Sequence, residues 1–233
     1  MSDAPAPADG PFATLHVDHS STVDRTVAEL RRAIFDGELE SGTPLREVAL
    51  AESLGVSRPT VREGLGMLVA EGLAVREPHR GVSVSSPEAA SVRDVCRARW
   101  VLEGAGVRRW QEATAEQRDH VRASLAAYTD AVRANDTYQS LNALHLAFHV
   151  SLVGLTGSPR LVAMAENLVV ELRLALAQVE RLRRNAHDQA DSHIALVRLL
   201  DANRIDGPDG ASAFLRAHLE DAESGIIDAL QLT

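Results

Sequence analysis

The chain has no lysine; all 24 of its Lys and Arg residues are arginine. That absence excludes Schiff-base chemistry, a catalytic lysine and the phosphate-loop signature that ends in Gly-Lys-Ser/Thr, each of which needs an ε-ammonium group. There is one cysteine, Cys96, so neither an internal disulfide nor a thiolate zinc cluster can form, and a reducing compartment is the natural setting. Aromatic residues make up only 3% of the chain, which leaves an aliphatic core. No apolar run approaches the length of a membrane span. The opening run MSDAPAPADGPF has neither a basic segment nor an apolar centre of the kind a secretory leader needs. The expectation is a soluble, cytoplasmic protein without a membrane partner.

What remains is ample for a core. At 233 residues and 45% hydrophobic, the chain suits one large or two small domains. Abundant Ala and Leu with few alternating β-branched runs predict a mostly α protein. The formal net charge of −9 argues against a polyanionic partner only on average, because recognition depends on where charge is placed.

Residues 1–19 carry no apolar period and read as a disordered tail. From Ser20, Val23, Val27, Leu30 and Ile34 share one helical face that stops at Gly37. A second short helix, 45–54, closes at Gly55. A third opens at Ser57, whose hydroxyl can cap it; Val61, Leu65 and Leu68 point inward, while Arg58 and Arg62 project together one turn apart. Leu73 to Arg76 and Val82 to Val84 read as strands around a turn. From Pro87 the pattern becomes long helices at about 88–111, 115–134, 137–156, 159–185, 187–203 and 210–231. Breakers fall at Thr114, Asn135, Gly157 to Pro159 and Asp206 to Gly210. The expected organisation is a winged helix-turn-helix at 20–87 and an all-helical antiparallel bundle at 88–233.

A helix fits the major groove of a duplex, and side chains at its amino-terminal end reach base edges and phosphates. Here those groups are Ser57, Arg58, Thr60 and Arg62. The guanidinium fork matches guanine O6/N7 as well as phosphate. Arg46 on the second helix and His79, Arg80 and Gly81 at the wing tip extend the same candidate face. Residues 20–87 nevertheless hold 8 arginines against 10 acidic residues. Placement of the arginines, and not the total, favours DNA; a winged unit used for protein contacts is the alternative that periodicity leaves open.

The run Leu45-Arg46-Glu47 through Leu50-Ala51, then LGVSRPTVREGL, EGLAV and HRGVSV, resembles the winged helix-turn-helix of GntR-type bacterial transcriptional regulators over about residues 23–85. Pro59-Thr60 reverses an order more usual in that family, and Val48 stands where some members carry an arginine that contacts DNA. The resemblance implies an operator-binding homodimer.

In the bundle, His145 and His149 lie one turn apart within the apolar stripe Leu141, Leu144, Phe148, Leu152. His193 shares a face with Leu196, Val197 and Leu200, and His218 follows Phe214 by one turn. Imidazoles from different helices can meet inside a bundle to hold a metal. Taken singly, each also fits an ordinary core histidine. The segments Arg99-Trp-Val-Leu-Glu103, His145-Leu-Ala-Phe148-His149, Ser192-His193-Ile194 and Arg216-Ala-His218-Leu219 resemble the helical FCD effector domain of the FadR branch of those regulators, over about residues 88–231. The resemblance implies a divalent metal on His149, His193 and His218, with His145 at a position usually held by aspartate. It also implies a small carboxylate effector bound by the metal and an arginine, for which Arg99 is the candidate; a surface or interhelical ion pair is the other reading of Arg99. Exchanging carboxylate for imidazole shifts preference towards zinc or nickel. Ser158 replaces a more usual asparagine, and Gly207 to Gly210 lengthens the interval before His218.

Three functions compete. One is a ligand-responsive regulator; another is a regulator for which the ion itself is the signal. The third, a metal hydrolase, is disfavoured because Leu146 stands where a zincin carries its general-base glutamate, and no nucleophile elbow is present. No enzymatic activity is expected.

Overall fold

The computed structural model describes residues 21–177, 186–207 and 209–231. The expected tail at 1–19 and the end of the helix expected to reach 185 lie outside them. Helix α1 (Thr22–Phe35) opens with a reciprocal cap: the Ser21 hydroxyl accepts from the Asp24 N–H, and the Asp24 carboxylate accepts from the Ser21 N–H at 2.9 Å. Helix α2 (Glu47–Leu54) ends on Gly55, whose φ of 65° is the left-handed conformation that releases the chain into α3 (Arg58–Ala70). Strands β1 (Ala74–Glu77) and β2 (Gly81–Val84) pair antiparallel with Ala74 opposite Val84 and Glu77 opposite Gly81. They sit about one residue later and earlier than the sequence suggests. Leu73 belongs to the end of the preceding turn, its N–H bonded to the Leu68 carbonyl, and its side chain is fully buried.

Six further helices follow among the described residues: α4 (Ala89–Arg108), α5 (Ala115–Arg133), α6 (Tyr138–Gly154), α7 (Pro159–Ala177), α8 (Ala186–Asp201) and α9 (Ala211–Ala229). Helix α4 stops three residues before its expected end, because the Arg109 and Trp110 N–H groups bond to Gly106 and Val107 in a tightened turn that carries the Trp110 ring inward. Other breaks follow the sequence closely, with Thr114 capping α5 and Asn135 at φ 50° after it.

Two bodies of apolar side chains result. Val27, Leu30, Ile34, Val61, Leu65, Leu68, Val82 and Val84 fill the winged unit. In the bundle, Val107, Trp110, Phe148, Leu152, Leu196, Leu200 and Leu215 form the main core. Helix α7 joins the winged unit to the bundle: Leu174 inserts into the first core, while Leu172 and Ala175 pack with Leu146 of α6 in a smaller apolar cluster of the bundle. The Arg173 guanidinium lies 4.0 Å from the centre of the Phe35 ring. No helix among the described residues is long and apolar enough to cross a membrane.

One glycine decides how closely α4 and α6 approach. A Cβ on Gly106 would collide with the Leu152 carbonyl, so only a hydrogen there lets the two backbones touch. Replacing it forces the helices apart in a region where Val107 and Leu152 are fully buried. Gly106→Ala is expected to destabilise the fold by about 3 kcal/mol, the upper end of ordinary overpacking costs, read as a lowered midpoint in denaturant unfolding; an unchanged midpoint would contradict this contact.

Candidate functional site

In the winged unit, the Ser57 Oγ accepts the Thr60 N–H at 3.2 Å and lies 2.8 Å from the Thr60 Oγ1, which fixes the start of α3. With Pro59 in the first turn, this cap presents Arg58 and Arg62 on one outer face, with 61% and 59% of their side chains exposed. Both meet Glu47 at the start of α2. Arg62 grips it in a two-point fork, Nε to Oε1 at 2.9 Å and Nη2 to Oε2 at 2.7 Å, while Arg58 Nη2 stands 3.9 Å from Oε2. The Arg62 hydrogen bonds hold the Glu47 carboxyl below its usual range. Arg46 is exposed beside them. Arg80, 83% exposed at the wing tip, touches Glu77 at 3.3 Å. The tip is built by His79 at φ 64° and Gly81 at φ 94°. Sequence reasoning missed Glu47 as the shared partner of the two arginines. It stands 11 and 15 residues before them, and only the turn between α2 and α3 closes that gap.

The four bundle histidines meet. His145 and His149 come from α6, His193 from α8 and His218 from α9. His149 Nε2 lies 3.2 Å from His145 Nε2 and 3.2 Å from His193 Nε2; His193 Nε2 lies 3.1 Å from His218 Nε2. All four ligand atoms fall within 4.8 Å of one another. Metal–nitrogen bonds of 2.0–2.1 Å in a tetrahedron imply nitrogen separations of about 3.3 Å, a value the His145–His149, His149–His193 and His193–His218 pairs approach. His145, His149 and His193 are buried. Burial, reinforced by neighbouring imidazoles and by Arg99, holds these three well below the ordinary histidine range. His218, chiefly through burial, is pushed down to about 4. The imidazoles are therefore neutral at ordinary pH, the form that binds a metal.

Helix α4 supplies the next layer. Arg99 and Glu103 are both buried, at 4% and 2% exposure, and form an ion pair within one helix: Arg99 Nε donates to Glu103 Oε1 at 2.8 Å. This differs from the surface or interhelical pair that the sequence left open for Arg99. The other carboxylate oxygen, Oε2, lies 2.7 Å from His149 Nδ1. Burial pushes the Glu103 carboxyl up, and Arg99 opposes that push. Outside the cluster, the Ser192 hydroxyl lies 3.2 Å from His218 Nδ1. His193 Nδ1 and Arg99 Nη2 are buried without a hydrogen-bond partner among the described residues. The missed residue here is Glu103. Its one-turn spacing from Arg99 was a visible signal, but nothing in the sequence placed it against His149. His120 and His187 are exposed and away from the cluster.

The chain matches two family models: bacterial regulatory proteins of the gntR family at residues 22–84, and the FCD domain at residues 94–221. It is 29% identical over 196 residues to the Nta operon transcriptional regulator of Aminobacter aminovorans, covering 82% of this chain and 87% of that one. It is 28% identical over 206 residues to the HTH-type transcriptional repressor GlaR of Escherichia coli, covering 82% and 89%. A crystal structure of a GntR transcriptional regulator from Rhodococcus sp. RHA1 superposes with a TM-score of 0.76 at 27% identity, over 90% of this chain and 99% of that one. A GntR-type helix-turn-helix joined to an FCD domain, in a chain whose relatives are named as regulators, places this protein in the GntR family of DNA-binding transcriptional regulators, consistent with its FadR-like branch.

Proposed function

We propose that the protein is a homodimeric regulator that grips operator DNA through Arg46, Ser57, Arg58, Thr60, Arg62, Arg80 and Gly81, and senses a small carboxylate at a metal held by His145, His149, His193 and His218. The observation that carries the sensing part is the convergence of four neutral imidazoles from three helices, with a buried arginine one residue removed through Glu103. Four nitrogen ligands without a carboxylate favour zinc or nickel. When bound, the ion would supply a fixed positive charge and an attachment point for an anionic group. The protein's own part is to hold the imidazoles in their neutral form and to orient them. Arg99 would pair with the effector carboxylate.

Dimerisation is supported by Val101 on α4 and Met164 on α7, apolar and exposed on helices that pack against each other through Leu102 and Ala165. Two winged units acting together would offset the acidic balance of each. Coupling between the units has a route in α7, which touches the histidine-bearing helix at Leu146 and the winged core at Leu174. An effector shifts DNA affinity only as far as it prefers one arrangement of the units.

A second reading gains support from the ligand count. Four protein nitrogens fill a tetrahedral ion, leaving an open position only if its coordination expands. A zinc ion held this way would itself be the signal, or a structural pin.

Duplexes selected from a random pool by the purified protein supply the operator for the test. Anisotropy titrations then compare metal-stripped protein, zinc-loaded protein, and zinc-loaded protein with a panel of small carboxylates. A change of about fivefold or more on adding a carboxylate, the lower range of allosteric coupling, supports the effector reading. A change on adding zinc alone, with none from any carboxylate, supports the ion as signal. Failure to enrich any duplex would count against the regulator.

A further inference from the structure

Glu103 stands between two things the proposed function treats separately, the metal ligands and the effector arginine. Each oxygen of its buried carboxylate is used once, Oε1 by Arg99 Nε and Oε2 by His149 Nδ1. Resting on the metal and effector reading above, we infer that Glu103 is a positioning residue that couples metal retention at His149 to capture of a carboxylate by Arg99, so that each strengthens the other.

Three steps carry the inference. First, Glu103 Oε1 takes the Arg99 Nε–H, and a carboxylate ionised against that guanidinium only accepts; its contact through Oε2 would then keep the His149 proton on Nδ1 and leave the Nε2 lone pair facing His145 and His193. Second, the same carboxylate is the hydrogen-bonded anion that neutralises Arg99, whose Nη2 is buried and has no partner among the described residues. A guanidinium with an unmet donor in a buried setting calls for an acceptor, and an incoming carboxylate meets that need. Third, one carboxylate cannot serve both cations fully. With a metal held at Nε2, the His149 Nδ1–H would be a stronger donor, and Glu103 would give more of its charge to that side. Arg99 is then less neutralised from within and attracts an external anion more strongly. An anion on Arg99 has the converse effect at His149, as linkage requires. Positioning Glu103 for this role depends on the close approach of α4 to α6 at Gly106, one turn beyond it.

The test uses full-length protein and Co(II), whose visible absorption reports the ligand geometry, titrated with and without acetate or benzoate against chloride of equal ionic strength. In the wild type, either carboxylate lowers the Co(II) Kd by about fivefold or more. Glu103→Gln weakens Co(II) by about tenfold to a hundredfold, the usual cost of losing an outer-layer partner, and abolishes the carboxylate response. Arg99→Gln removes the second claimant on Glu103 and likewise loses the carboxylate response, the Co(II) Kd being the same in acetate, benzoate and chloride.

Histidine ¹H–¹⁵N correlation spectra give a readout that a merely structural ion pair would not move. The wild type holds His149 as the Nδ1–H tautomer. In Glu103→Gln, whose carboxamide keeps its oxygen on Arg99 and turns its NH₂ to the ring, the proton moves to Nε2. Glu103→Asp, checked for fold by circular dichroism, repeats the titrations if the glutamine variant fails to fold, and is expected to bind Co(II) more weakly with a reduced response. Wild-type protein that binds no Co(II) overturns the metal reading itself. Wild-type binding that neither carboxylate alters, or a folded Glu103 variant with wild-type affinity and response, overturns the coupling while leaving that reading intact.

Discussion

Removing the two guanidinium groups of α3, in the double variant Arg58→Ala/Arg62→Ala, is expected to abolish measurable operator binding while leaving the fold intact. Each arginine that reads a base edge in two-point fashion contributes discrimination of about tenfold to a hundredfold, so the single variants should weaken binding by that amount. Fluorescence anisotropy against the selected duplex checks the loss, and circular dichroism melts check the fold. Stability should hardly change, because both side chains are largely exposed and their partner Glu47 lies at the surface. Salt dependence separates the two possible jobs of each arginine. A residue that only neutralises a phosphate weakens all duplexes alike and lowers the slope of log K against log salt by about one. A residue that reads a base relaxes preference at one position of the site. Single variants that bind as tightly as the wild type would remove α3 from the groove.

Glu47 adds a second expectation about the same face. In the free protein its carboxylate occupies the fork of Arg62 that DNA would use. On the proposed interface, DNA binding would exchange this internal partner for a phosphate or a guanine edge, an exchange expected to lower net affinity while holding Arg62 extended before the duplex arrives.

The other large effect belongs to the histidine cluster. His149→Ala and His193→Ala are each expected to reduce bound zinc or nickel from one ion per protomer to none after dialysis, measured by elemental analysis. His149 and His193 each stand within 3.2 Å of two other imidazole nitrogens, so removing either opens the middle of the set. His145→Ala removes only one contact of 3.2 Å and should leave a weakened three-histidine site. Full occupancy in the His149 and His193 variants would show that the cluster is a hydrogen-bonded core feature and not a metal centre.

The same cluster fixes a pH dependence for the metal-free protein. An unfolded chain takes up protons on histidine near pH 6.5, whereas the folded His218 resists until about 4. Below pH 6.5 the unfolded state thus binds more protons, and stability falls as the pH drops through that window. Above it the contribution is complete. A bound metal, which binds only the deprotonated imidazoles, should raise the denaturation midpoint most at neutral pH and progressively less towards pH 4. A metal effect on the midpoint that is independent of pH would contradict ligation by these groups.

How much of this was legible beforehand follows from the range over which each signal acts. Helix boundaries were visible to within a few residues, because caps such as Ser57 and Thr114 and stops such as Gly55 and Asn135 act within one turn of the backbone they terminate. The one-turn pairs Arg58/Arg62 and His145/His149 were equally local, since helical periodicity alone puts their side chains on a shared face. The end of α4 is not legible in the sequence, because what stops it is the burial of Trp110, a tertiary demand with no breaker residue to announce it.

By itself, then, the sequence determined the order of the elements, the outward arginines of α3 and the inward direction of the histidines, all consequences of a repeat of 3.6 residues. Only the tertiary structure decided that imidazoles from α6, α8 and α9 converge at 3.1 to 3.2 Å, that Glu103 bridges Arg99 to His149, and that Leu174 crosses into the winged core. The reason is that separation along the chain carries no information about separation in space once helices pack. Which side chains meet depends on how closely two backbones can approach, and between α4 and α6 that distance is set by the missing side chain of Gly106.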